Sequence, residues 1–193
     1  MSRYWYFSAT LPGLLLGAQP PMSGPEFLAL CGRLMTKEDF GEVAGALEYL
    51  KGKEPAVFRS SFLEAFVAWE KNFRNELARL RARRSGRNEE EFLRPAERAD
   101  EAGRAAASCF AVEDPYQAEL ILEQERWAAI ERLSSLSSFD LDFIVAYRLK
   151  LAINERLGSL DAKTGSAGYQ HLYQDIIGGV SSTAETDNPG EQA

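Results

Sequence analysis

Phe58-Arg-Ser-Ser-Phe-Leu-Glu-Ala-Phe-Val-Ala-Trp-Glu-Lys-Asn-Phe-Arg-Asn-Glu-Leu-Ala-Arg-Leu-Arg-Ala-Arg-Arg84 is the stretch on which the fold turns. Its large apolar residues, Phe58, Phe62, Phe66, Trp69, Phe73, Leu77 and Leu80, recur at steps of four or three. That spacing marks one face of an α-helix, sustained for about six turns. An aromatic stripe with near-heptad rhythm packs as the seam of a helical bundle. Toward its end the stretch changes character. Between residues 71 and 87 it carries Lys71, Arg74, Arg79, Arg81, Arg83, Arg84 and Arg87 against Glu76 alone. Cations are favoured near a helix C-terminus, and Ser85-Gly86 reads as the stop.

The flanking sequence predicts more helices. Ser23-Gly-Pro-Glu26 is a capping box with proline in the first turn, opening a helix through Met35. Thr36-Lys-Glu-Asp39 opens another, to about Leu50. Lys51-Gly-Lys-Glu-Pro55 is a break, and Pro55 suits the first turn of the long helix. Asn88-Glu-Glu-Glu91 predicts a helix to about Phe110, kinked near Pro95. Asp114-Pro-Tyr-Gln117 places an N-cap before a first-turn proline, for a helix to about Leu133. Ser138 or Asp140 caps a helix to about Leu160 that is apolar on two neighbouring faces, and a short helix is expected over Gly168 to Ile177.

The expected fold is therefore all-α: a bundle of antiparallel helices built around one long helix. Residues 1–22, led by Tyr4-Trp-Tyr-Phe7, read as an extended segment. Residues 23–177 form the helical domain, in two groups that meet near Gly86. Residues 178–193, rich in small and acidic residues, read as a disordered tail. Strands and helices do not alternate, which argues against a doubly wound fold.

Composition narrows the function. The chain has 193 residues, 45% hydrophobic and 26% charged, as for one globular domain. Its net charge of −7 argues against a dedicated nucleic-acid binder. Cys31 and Cys109 lie far apart, and with His171 as the one histidine no Cys/His zinc set can form. They read as free thiols of a reducing compartment, with a disulfide between them as the alternative. Pro12-Gly13 interrupts the apolar stretch behind Arg3, unlike an export signal. No apolar run reaches the length of a membrane span. The expected location is cytoplasmic.

Motifs for chemistry are missing. The sequence holds no phosphate loop, no dinucleotide fingerprint, no GxSxG and no HExxH. Glu89-Glu90-Glu91, Glu123/Glu125 and Asp140/Asp142 are adjacent or two apart, and such positions do not face one another on a helix. They read as helix starts and solvated faces. No catalytic residue, cofactor or metal site is expected. A small helical enzyme would have to assemble its site from Tyr147, Lys150, His171 and carboxylates.

Candidate partner-binding residues are Arg74, Arg79, Arg81, Arg83, Arg84 and Arg87, a basic arm on an acidic chain. One reading pairs them internally with the acidic segment 88–101, folding back on the helix. The other docks them on an acidic partner through arginine–carboxylate pairs. Nucleic acid fits less well, because the run lacks the interleaved aromatics of single-strand binders.

Trp69 to Arg84 and Ser138-Phe-Asp-Leu-Asp-Phe-Ile-Val-Ala-Tyr-Arg-Leu-Lys-Leu-Ala-Ile-Asn-Glu-Arg156 carry a resemblance. With Tyr4-Trp-Tyr-Phe-Ser-Ala-Thr-Leu-Pro12 and Asp114-Pro-Tyr-Gln-Ala-Glu119, they resemble a bacterial family of unknown function associated with gene clusters for V-type (vacuolar/archaeal-type) rotary ATPases. The second stretch is also similar in style to the last helices of the C/d subunit of those ATPases. The resemblance implies an all-helical socket protein, without catalytic residues, that links the central rotor stalk to the membrane ring. It implies the other ATPase subunits as partners and a peripheral position at the inner face of the cell membrane. A full C/d subunit is a larger array of helical units, of which 193 residues supply part. Without the resemblance, the reading is a freestanding helical adaptor that binds an acidic partner through its arginine-rich helix end.

Overall fold

The computed structural model describes residues 4–96 and 100–160. The aromatic stripe becomes the helix α4, Ser61–Arg84. Its rings stack along one face, Phe62 on Phe66 at 6.0 Å, Phe66 on Trp69 at 5.7 Å and Trp69 on Phe73 at 5.0 Å between centroids. The helix begins later than Pro55 predicts. Ser60 is the N-cap, its hydroxyl accepting the Leu63 amide at 3.0 Å. The buried Glu42 carboxylate takes the amides of Arg59 and Ser60 at 2.8 and 2.9 Å. These two side chains satisfy the Ser60 and Leu63 amides, two of the free donors of the helix start. Phe58 consequently leaves the stripe and meets Tyr49 edge-on, 5.9 Å between centroids.

Among the described residues the other helices are α1 (Trp5–Thr10), α2 (Gly24–Leu34), α3 (Lys37–Tyr49), α5 (Asp100–Phe110), α6 (Pro115–Leu133) and α7 (Leu141–Ser159), with a 3-10 turn at Glu90–Phe92. The described residues form helices and no strands, so the fold is all-α. Most caps are those the sequence predicts. Ser23 and Glu26 bond reciprocally. Thr36 accepts the Asp39 amide, Asp114 that of Tyr116, and Asp140 that of Phe143.

Chain direction follows from the cross-helix pairs. Arg126 of α6 reaches Glu70 of α4, and the first turns of α6 lie beside the last turns of α4, so these two helices run antiparallel. Lys150 on Glu131 and Arg156 on Glu119 make α7 antiparallel to α6. The helix α5 differs. Its first turn lies near Trp69 and its last residue, Phe110, sits under Arg84, so it runs in the same direction as α4. Residues after Gly86 make this possible by returning along α4, where Arg94 bonds the Asn75 side chain through both its amide and its carbonyl. The single helix expected over 88–110 is thereby replaced by the 3-10 turn and α5, with Pro95 between them. Proline lacks the amide that would continue a helix.

The N-terminus is a second correction. Residues 5–10 are helical, whereas an extended segment was expected over 1–22. Packing selects the helix. The Tyr4 hydroxyl donates to Asp39, and Phe7 stacks on Phe27 at 6.3 Å. Beyond Thr10 the chain is non-helical up to α2, and Asn154 pins it by accepting the Gly17 amide and donating to the Leu15 carbonyl, both at 2.9 Å.

The described residues up to Gly158 form one compact unit. His171, the helix expected over 168–177 and the tail expected over 178–193 lie outside the described residues.

Two predictions follow from this packing. Phe73 is fully buried, so Phe73→Ala should cost about 3–5 kcal/mol, read as a lower urea midpoint. Burial alone would raise the Asp39 carboxyl, but hydrogen bonds from Tyr4, Arg59 and Thr36 hold it below its ordinary value. Its contribution is complete above the unfolded carboxylate pKa, about 4, and is lost as pH falls through the lower folded value. Asp39→Asn should therefore be less stable at neutral pH and show a shallower acid limb below about pH 4, measured by thermal melts across pH.

Candidate functional site at the end of the long helix

The last turn of α4 is closed by a Schellman arrangement. Gly86 takes the left-handed conformation at φ 65°. The Arg87 amide reaches the Ala82 carbonyl at 2.9 Å, and the Gly86 amide reaches Arg83 at 3.2 Å. The Ser85 hydroxyl donates to the Arg81 and Ala82 carbonyls. This ties Arg87, one residue beyond the turn, to the same rigid end as Arg81 and Arg84.

The six candidate arginines divide into two groups. Arg74 is held by Glu70 at 2.6 Å, Arg79 by Glu76, and Arg83 by both oxygens of Glu89. The Glu89 pair lies in the returning segment, so internal pairing accounts for that member of the arm. Arg81, Arg84 and Arg87 are exposed and enter no ion pair among the described residues. Arg84 instead lies over the Phe110 ring at 5.7 Å, a cation–π contact that leaves guanidinium donors for another acceptor.

Grooves flank this end on two sides. One, of about 580 Å³, runs between the end of α4, the end of α5 and the start of α6. It is lined by the cations Arg81 and Arg84, by apolar residues that include Leu77, Phe110 and Leu122, and by the carboxylates Glu113 and Glu119. The other, of about 300 Å³, holds Arg81 and Arg87 beside the half-exposed Phe92 ring.

A buried ionic cluster was not foreseen. Glu70 and Glu123 are 1% and 2% exposed, although Glu123 was read with Glu125 as solvated. Arg126 bridges them, at 2.6 Å from Glu70 and 2.9 Å from Glu123. Arg156 of α7 adds a contact to Glu123 at 3.1 Å. Burial pushes the Glu123 carboxyl up, an effect that Arg126 partly offsets. A cavity of about 140 Å³ adjoins this cluster. Glu70 and Arg126 are 56 residues apart, and nothing local in the sequence signals their pairing.

The groups considered for an enzyme are placed as follows. Tyr147 and Lys150 line one cavity of about 190 Å³ beneath residues 11–14. The phenol has no hydrogen-bond partner among the described residues, and burial raises its pKa. Lys150 is engaged with Glu131 at 3.2 Å and lies over the Trp127 ring at 4.8 Å. Burial pushes the Cys31 thiol to about 12 and Cys109 to about 11, away from thiolate chemistry. Among the described residues no His, Cys, Asp and Glu side chains cluster as a metal site, and no helix is long and apolar enough to cross a membrane.

No family model, curated protein or solved structure matches the chain.

The ionic cluster and the arginine end should respond oppositely to mutation. Arg126→Met leaves Glu70 to Arg74 alone and Glu123 to Arg156 alone and should cost about 1–3 kcal/mol in urea unfolding. The triple change Glu70→Gln, Glu123→Gln, Arg126→Met should recover most of that loss. Arg81→Met should stay within about 0.5 kcal/mol of the parent.

Proposed function

We propose that the chain is a non-catalytic assembly subunit that docks on an acidic partner through the end of α4. The partner is a V-type rotary ATPase, on which the chain takes a C/d-like coupling position between the rotor stalk and the membrane ring, peripheral at the inner face of the cell membrane. One observation carries the docking reading. Arg81, Arg84 and Arg87 stand exposed on a rigid helix end and have no ion pair among the described residues, while Arg74, Arg79 and Arg83 beside them are paired. Guanidinium groups bind carboxylates bidentately, so a fixed set of three suits an acidic protein surface. The ATPase as partner rests on the resemblance of Tyr4 to Pro12, Trp69 to Arg84 and Ser138 to Arg156. The same helix end would serve a freestanding adaptor.

The test is affinity purification of the tagged chain from its own cells at low salt, with mass spectrometry of the proteins retained. Rotary ATPase subunits should be recovered in stoichiometric amount and should dissociate as salt rises. Arg81→Glu, Arg84→Glu and Arg87→Glu together should abolish the recovery without changing the melting temperature by more than a few degrees. Recovery of other partners would leave the adaptor, and full recovery with the triple variant would remove the arginine end from the interface.

A further inference from the structure

The large groove is not uniformly basic, and its polarity restricts what can lie in it. Arg81 and Arg84 stand on the α4 wall. They are three residues apart, a rise of about 4.5 Å along the helix. Carboxylates three or four residues apart on a facing helix have Cβ atoms about 5–6 Å apart, so two of them can meet both guanidinium groups at once. The floor between the walls is apolar, with Leu77, Phe110 and Leu122. Glu113, in the connection between α5 and α6, lines the same groove, is exposed and enters no ion pair among the described residues. Glu119 also lines the groove and is held by Arg156.

A surface of one charge sign fits this arrangement poorly. A phosphate backbone or an anionic lipid layer drawn to Arg81 and Arg84 would press negative charge against Glu113. An amphipathic helix avoids the conflict, because its two edges can differ in sign while a ridge of apolar residues runs between them. The volume, about 580 Å³, is room for several side chains of such a helix.

From this we infer that the groove between α4, α5 and α6 receives an amphipathic helix of a protein partner, oriented by charge. Two carboxylates on its acidic edge pair with Arg81 and Arg84, its apolar ridge lies on Phe110 and Leu122, and a lysine or arginine on its other edge faces Glu113. The inference rests on the reading of this helix end as a docking face. It adds the form of the docked segment and its orientation.

Photo-crosslinking from the full chain in its own cells tests it, with benzoylphenylalanine in place of Pro115 on the groove rim and, as control, in place of the exposed Ala128. The crosslinked segment is mapped by mass spectrometry. The Pro115 position should trap one protein segment with two acids three or four residues apart, apolar residues between the edges, and a basic residue opposite. Arg81→Glu with Arg84→Glu should lower the yield at least tenfold, and reversing the two mapped acids in the partner should restore it. A segment without that charge pattern, a crosslink to nucleic acid or lipid, equal yield from Ala128, or no crosslink would overturn the inference. A segment of the expected pattern in a protein outside any rotary ATPase would keep the groove and remove the ATPase reading.

Discussion

A carboxylate in the middle of an aromatic seam constrains everything around it. Glu70 follows Phe66 by four residues and precedes Phe73 by three, so it shares their face of α4 and is 1% exposed. Left alone there, its charge would cost several kcal/mol. Arg74 offsets part of the cost from the same helix, and Arg126 adds three hydrogen bonds to Glu70 and Glu123, its guanidinium lying 5.9 Å from the centre of the Phe73 ring. Because a guanidinium fork engages carboxylates in few geometries, this contact sets the register of α6 against α4. Glu123 then draws in Arg156 and ties α7 to the same point. The groove at the end of α4 exists because that register places the first turns of α6 beside Arg81 and Arg84.

The parts of the fold governed by local rules were legible. The α4 stripe from Phe62 to Leu77 is an apolar period that only a helix satisfies. Ser23, Thr36 and Asp114 announce their helices because each carries the side-chain acceptor that a helix start lacks. Errors arose where a distant residue supplied what the local sequence did not. The start of α4 moved from Pro55 to Ser61 because Glu42 brings a carboxylate to the free amides. Residues 5–10 became helical because Asp39 and Phe27 gave Tyr4 and Phe7 somewhere to bury.

The candidate site was half legible. Six arginines looked alike as a charge run, yet Glu70 and Arg74 at i,i+4 and Glu76 and Arg79 at i,i+3 are pairs that helix spacing alone announces. Arg83 needed the returning segment to bring Glu89 within reach. The remaining three are defined by what does not face them, which depends on the packing of α5 and α6. Glu123 was misread for the same reason, since its burial comes from α4 and α7 rather than from its neighbours in sequence.

Hydrogen exchange of the full chain, free and in the presence of purified rotary ATPase, tests the proposed docking face without altering a residue. Binding should slow exchange in the amides of residues 81–87 and 110–122, and leave α2 and α3 unchanged. Protection confined to α2 and α3, or no protection anywhere at saturating ATPase, would contradict the account.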